Sequence, residues 1–247
     1  MTNRLNTIIQ MVRPGVGVID VGTDHGYVPV TLALNGYSGN IIASDIHTDP
    51  LSAAIQYAEA NHVQDRIRFS VSDGLRECNP EEVDTVIIAG MGGDLICRII
   101  DNALDVVCRK GTRLILQPMT KCEILRYYLV NNGFSITQEC LVVENGKIFQ
   151  IFAAAYTGVF VRLSVSELPC EHFIRNHSDA ELFTGAFDNV KNSSAFLFLL
   201  NEVQMRLFKK IYGMECTGIL KKNFSDYIFY SGILESFREL RKQYDTM

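Results

Sequence analysis

Asp20-Val21-Gly22-Thr23-Asp24-His25-Gly26 ends a β-branched apolar run, Val16 to Val21, and leads into a helical pattern from Val28 to Asn35. A glycine-rich turn between strand and helix is the opening unit of a parallel α/β sheet, placed where such a sheet opens its ligand crevice. The alternation continues outward from it. Strands are predicted over Asn40 to Asp45, Ile67 to Val71, Thr85 to Ala89, Arg113 to Gln117 and Ser135 to Val143. Between them lie helical patterns at Pro50 to Asn61, Asp94 to Val107 and Lys121 to Asn131. The last strand runs through Glu144-Asn145-Gly146-Lys147 into Ile148 to Tyr156, and Asn-Gly between two apolar runs signals a hairpin.

After about Thr157 a helical pattern takes over. Phe196, Leu200, Val203, Leu207 and Ile211 recur at spacings of three or four, and Tyr227, Tyr230, Leu234, Phe237 and Tyr244 follow a similar rhythm. They predict two long helices forming an antiparallel hairpin, its turn bracketed by Gly213 and Gly218. The chain thus divides into an α/β domain, 1–156, and a helical domain, 157–247. No stretch reaches about 18 apolar residues, and Met1 to Val12 reads as an amphipathic helix rather than a signal peptide, so no membrane partner and a cytoplasmic location are expected. Seven cysteines without a C-x-x-C pair point to reduced thiols and no metal site. The net charge of -5 argues against a polyanionic partner, but its distribution does not. Residues 1–156 hold 12 basic and 17 acidic side chains, whereas 157–247 hold 11 of each.

The turn at 20–26 lacks the G-x-G-x-x-G of nicotinamide-dinucleotide sites, which delivers a helix N-terminus to a pyrophosphate. It carries acids instead. Asp20 and Asp24 suit a cofactor with an ammonium and a sulfonium, such as S-adenosylmethionine. The competing reading is an acidic turn that only caps a helix. Asp45 ends the second strand, where a carboxylate can take both hydroxyls of a ribose. Asp73, before Gly74, ends the third, near where an adenine would lie. Three acids at successive strand ends are hard to obtain by chance from solvated loops. Ala89-Gly90-Met91-Gly92-Gly93 and Gln117-Pro118 end the fourth and fifth strands, over the position of the transferring group; Gly92 and Gly93 equally suit close helix packing. A parallel sheet finished by an antiparallel hairpin is the arrangement of class I, Rossmann-like methyltransferases.

Val18 to Pro29 (V-I-D-V-G-T-D-H-G-Y-V-P), I-I-A-G-M-G-G at Ile87 to Gly93 and L-I-L-Q-P at Leu114 to Pro118 resemble the bacterial tRNA (adenine(22)-N1)-methyltransferases of the TrmK type. The resemblance covers residues 4 to about 156 and departs at Gly26 and Met119, where the family often has Ala and Asn. It implies S-adenosylmethionine as cofactor and methylation of adenine N1 in the D-arm region of tRNA. The implied cofactor set is Asp20, Gly22, Asp24, His25, Asp45, Ile46, Asp73, Gly74, Ala89 and Gly90, with Tyr27, Met91, Gly92, Gln117 and Pro118 on the substrate side. Asp24 is the candidate catalytic residue, an electrostatic partner for the charge that moves onto the base. His25 is the runner-up, and a structural histidine is the alternative for it. Arg206, Lys209, Lys210, Lys221 and Lys222 flank the helical turn and suit phosphate contacts, or a solvated helix end. Arg4, Arg13 and the N-terminal helix are a second route to RNA. A small-molecule or protein methyltransferase, with the hairpin as lid or dimer surface, is the alternative function.

Overall fold

The computed structural model describes residues 2–159, 184–185, 194–216 and 224–245. The chain falls into two units, Met1–Val161 and Arg162–Met247. The first is built on a seven-stranded sheet of β1 (Gly17–Val21), β2 (Asn40–Asp45), β3 (Arg68–Val71), β4 (Thr85–Gly92), β5 (Arg113–Thr120), β6 (Phe134–Glu144) and β7 (Lys147–Tyr156). Their order is β3-β2-β1-β4-β5-β7-β6, parallel through β5, with β7 antiparallel to β5 and β6 antiparallel to β7. The hairpin turn has positive φ at Asn145 (51°) and Gly146 (70°), as a two-residue turn matched to strand twist requires.

Strands covered on both faces read as continuous apolar runs, and successive side chains go to opposite layers. Val18, Ile87 and Ile115 face α1 (Asn3–Met11), α2 (Tyr27–Leu34) and α3 (Thr48–Ala60). Ile19, Ile88, Leu114 and Leu116 face α4 (Gly93–Asp101), α5 (Leu104–Val107) and α6 (Cys122–Asn131). The predicted helix Asp94 to Val107 is therefore two. It breaks where Ala103 turns to φ -144°, just after the Asn102 N–H caps α4 on Arg98 O. α6 is fastened to the hairpin by a buried cluster: Arg126 Nε donates to Glu139 Oε1 (2.8 Å), Nη2 donates to Gln150 Oε1 (2.7 Å), and the guanidinium lies 4.9 Å from the Phe152 ring centre.

The second unit contains α7 (Ser194–Cys216) and α8 (Phe224–Asp245). They pack antiparallel: Lys210 meets Tyr230 near one end and Arg241 meets Asn201 near the other. Phe196, Leu200, Val203, Leu207, Ile211, Ile233 and Phe237 are buried. Gly213 does not bracket the turn, because α7 continues past it to Cys216; Gly218 lies outside the described residues. Among the described residues no helix is long and apolar enough to cross a membrane.

Candidate active site

The C-terminal edge of the parallel strands brings the first acids together. The chain leaves β1 toward β2 and leaves β4 toward β5, so the sheet's switch point lies between β1 and β4. After β1 the chain bridges to β2, with the N–H groups of Gly22 and Thr23 donating to Ser44 O at 2.7 and 3.0 Å. Gly26 N–H then closes a tight turn on Thr23 O (2.7 Å). Two left-handed residues shape this turn: Asp24 at φ 40°, uncommon for a residue with a Cβ, and Gly26 at 70°. A Cβ on Gly26 would stand 2.8 Å from Ala54 Cβ, so in this chain glycine lets α3 approach the start of α2.

Asp20, in the last turn of sheet before the loop, is buried, and burial pushes its carboxyl up to about 6. The adjacent Thr23 hydroxyl pulls the other way, and the Asp45 carboxylate pushes in the same direction as burial. Thr23 Oγ1 nonetheless has no partner in hydrogen-bonding geometry, and Ser44 Oγ is equally buried and unpaired. A desolvated acid next to the buried, unpaired Thr23 hydroxyl fits a ligand bearing a cation and polar groups better than it fits a closed core. Asp24 is different. Its side chain is 75% exposed and sits 3.8 Å from His25 Nε2. His25 and Tyr27 lie with ring centres 5.6 Å apart, and Tyr27 meets Tyr57 edge-on at 5.2 Å.

Asp45 accepts from His47 N–H through Oδ1 (2.9 Å), and Ile46 beside it is exposed. Asp73 does not end β3, which stops at Val71; it lies two residues on, before the left-handed Gly74, and pairs with Arg76 at 3.3 Å. The two strands expected to stop at Ala89 and Gln117 run on to Gly92 and Thr120. Ala89 pairs with Gln117, Met91 with Pro118 and Gly92 with Thr120, so Gly90 on β4 and Met119 on β5 are each an extra residue. The two bulges cancel, and the ladder resumes in register beyond them. Gly90 takes φ 79° there, and Met119 is exposed. Gly93 serves close packing, since a Cβ on it would meet Lys121 O at 2.4 Å.

Gln117 is fully buried. Its Oε1 accepts from Gly90 N–H (3.2 Å) and from Arg4 Nη1 (2.6 Å), while Nε2 donates to Pro118 O (3.0 Å). Arg4 was singled out from the sequence only as a possible RNA contact; here it joins the ends of β4 and β5. A polar side chain directly after the apolar run Leu114 to Leu116 needs partners, which is the available signal, but the sequence does not say which helix supplies them. Among the described residues no group of acids, histidines and cysteines could hold a metal ion. Burial pushes Cys78 and Cys140 up to about 11 and Cys97 up to about 12, so these thiols stay protonated.

In the second unit Lys209 is exposed, and Lys210 Nζ hydrogen-bonds Tyr230 Oη and lies 3.8 Å from its ring centre. Lys221 and Lys222 lie outside the described residues.

A family model described as a methyltransferase domain matches residues 1–152. The chain is 31% identical over 166 residues to the tRNA (adenine(22)-N(1))-methyltransferase of Bacillus subtilis, covering 64% of this chain and 69% of that protein. Among solved structures it resembles Streptococcus pneumoniae Sp1610 in complex with S-adenosyl-L-methionine, at 25% identity and a TM-score of 0.74 over 97% of this chain and 99% of that one. It also shares its fold with the B. subtilis M1A22 tRNA methyltransferase TrmK, at 23% identity and a TM-score of 0.80 over 97% and 98% of the two chains.

Proposed function

Because the chain belongs to the family of tRNA (adenine(22)-N1)-methyltransferases, we propose that it transfers the methyl group of S-adenosylmethionine to N1 of adenine 22 in the D-arm region of tRNA. The observation that carries this reading is the acidic rim at the ends of neighbouring strands: Asp20 buried with its carboxyl pushed up to about 6, Asp45 with one carboxylate oxygen engaged by its own turn, and Asp24 exposed in the loop after β1. In that reading Asp20 and the Thr23 hydroxyl meet the cofactor's amino-acid end, and Asp45 meets its ribose. Gly22, His25, Ile46, Asp73, Gly74, Ala89 and Gly90 complete the cofactor surface. When bound, the cofactor supplies a methyl group made electrophilic by its sulfonium.

Adenine N1 is a lone-pair nucleophile near neutral pH, so the protein has little need of a strong base. Its lone pair forms the new N–C bond as the C–S bond breaks, and the positive charge passes from sulfur to the base. Asp24 stabilises that arriving charge and accepts from the N6 amino group, the kind of preorganised electrostatic contact that contributes most to rate. Tyr27, Met91, Gly92, Gln117 and Pro118 form the substrate side. Because N1 lies on the pairing edge, the base must leave its stack to react. Residues 157–247, through Lys209, Lys210, Lys221 and Lys222, hold the tRNA backbone. A tRNA substrate places the reaction in the cytoplasm.

The test is incubation with labelled S-adenosylmethionine and bulk bacterial tRNA, followed by nucleoside analysis. Label should appear as 1-methyladenosine, and mapping should place it at position 22. Label in protein or small molecules, with none in tRNA, overturns the reading.

A further inference from the structure

We infer that Arg4 is a positioning residue for methyl transfer: through Gln117 it fixes the rim formed by the paired bulges at Gly90 and Met119. The inference rests on the functional reading above, which places that rim on the substrate side.

A buried carboxamide must satisfy both of its ends, and its two ends are chemically opposite. Arg4 Nη1 and Gly90 N–H can only donate, and both converge on one end of Gln117, at 2.6 and 3.2 Å. That end must be the oxygen. Nε2 is then directed to Pro118 O at 3.0 Å and Met119 Sδ at 3.5 Å. One side chain thus ties the bulged amide of β4 to both residues that follow it on β5. At the bulge the Gly90 N–H takes the Gln117 side chain as its partner. Arg4 makes the lock directional, because a charged donor binds the carbonyl end more strongly than a neutral amide does. A flipped carboxamide would set Nε2 against two donors and Oε1 against Pro118 O.

Arg4 is itself held. Its backbone N–H donates to Glu144 Oε2 (3.1 Å), and its guanidinium lies 5.2 Å from the Phe149 ring centre, so the β6–β7 hairpin aims it. Among the described residues no carboxylate pairs with the guanidinium, which leaves Gln117 as its hydrogen-bond acceptor.

The test uses the full-length chain and compares Arg4→Met, Arg4→Lys, Gln117→Met and the Arg4→Met/Gln117→Met pair. Single-turnover methylation is followed at saturating tRNA and cofactor, with calorimetric cofactor binding and a thermal melt for each protein. Arg4→Met should slow the step by about 10- to 100-fold, the scale of a small misplacement of reacting groups, while cofactor Kd changes by less than about threefold. Arg4→Lys should recover part of the rate. The double variant should be no slower than the slower single variant, because both substitutions break one lock. Full-rate Arg4→Met, multiplying losses in the pair, or a defect confined to the KM for tRNA would overturn the assignment. If Arg4→Met fails to fold, Gln117→Glu carries the test: it still accepts from Arg4 and Gly90 but has no donor for Pro118 O, and a normal rate refutes the lock. A parent protein that makes no 1-methyladenosine removes the functional reading and this one with it; an active parent with unaffected variants removes only this one.

Discussion

Asp20 holds its carboxyl at about 6, above the 3.8 of an ordinary aspartate, because burial disfavours its charge. The folded chain therefore binds a proton there that the unfolded chain has already released, and this group's contribution to stability is present below about pH 3.8 and lost as pH rises through 6. Asp20→Asn removes the cost. Without cofactor, the Asn variant should melt higher than the parent, by a gap that widens between pH 5 and pH 8; a constant gap would mean that Asp20 does not titrate in this range. Cofactor binding should show the opposite trend. A cationic ligand prefers the ionised acid, so the parent's affinity should rise with pH through 6 while the Asn variant's stays flat in calorimetric titrations. Asp24→Asn should behave differently, with turnover lower by on the order of 100-fold at near-normal cofactor affinity. Near-normal turnover would remove it from the charge-stabilising role. The positions of Asp20 and Asp45 at the ends of β1 and β2 were legible in the sequence because place along a strand is a local property, whereas Asp73 falls two residues beyond β3. Arg4 and Thr23 were not singled out for the site, because what recommends them is a partner or a missing partner, and that is decided only when distant segments meet.

The elements that frame these residues were legible where hydrophobic period decides, as in β1 and β2, or where turn chemistry does, as in the Asn145-Gly146 hairpin. Where they differ from expectation, a single residue is responsible. Ala103 breaks a helix that period alone would continue, and Gly90 and Met119 let β4 and β5 run past their apolar cores without losing register. The buried Arg126–Glu139 pair, its side chains 4% and 3% exposed, welds α6 to the hairpin. Breaking such a pair from one side strands a charge in the core. Arg126→Met should therefore cost about 3 to 5 kcal/mol in denaturant unfolding, whereas Arg126→Met with Glu139→Leu should recover most of it. Equal losses in both would show that the cluster matters through packing and Gln150 rather than charge.

For the molecule as a whole, the sequence marked two units by the change of period after Tyr156, and the chain divides at Val161. If Lys209, Lys210, Lys221 and Lys222 contact tRNA phosphates, replacing all four with Gln should weaken tRNA binding and flatten its salt dependence, by up to about 0.9 in log-log slope per lost contact. Lys210 should contribute least, because Tyr230 already occupies it. An unchanged slope in filter-binding titrations would return the basic end to a solvated surface. The order β5-β7-β6 carries a different kind of consequence. A ribosome delivers β6 before β7, yet β7 must slot between β5 and β6. Until residue 156 has cleared the exit tunnel, the edge of β5 at Arg113 to Leu116 has no neighbour, although its Leu114, Ile115 and Leu116 end as wholly buried residues. Unpaired apolar edges recruit other chains. A nascent protein stalled before β7 is then a sheet with its β5 edge bare, and chaperone demand during synthesis should fall sharply once β7 emerges.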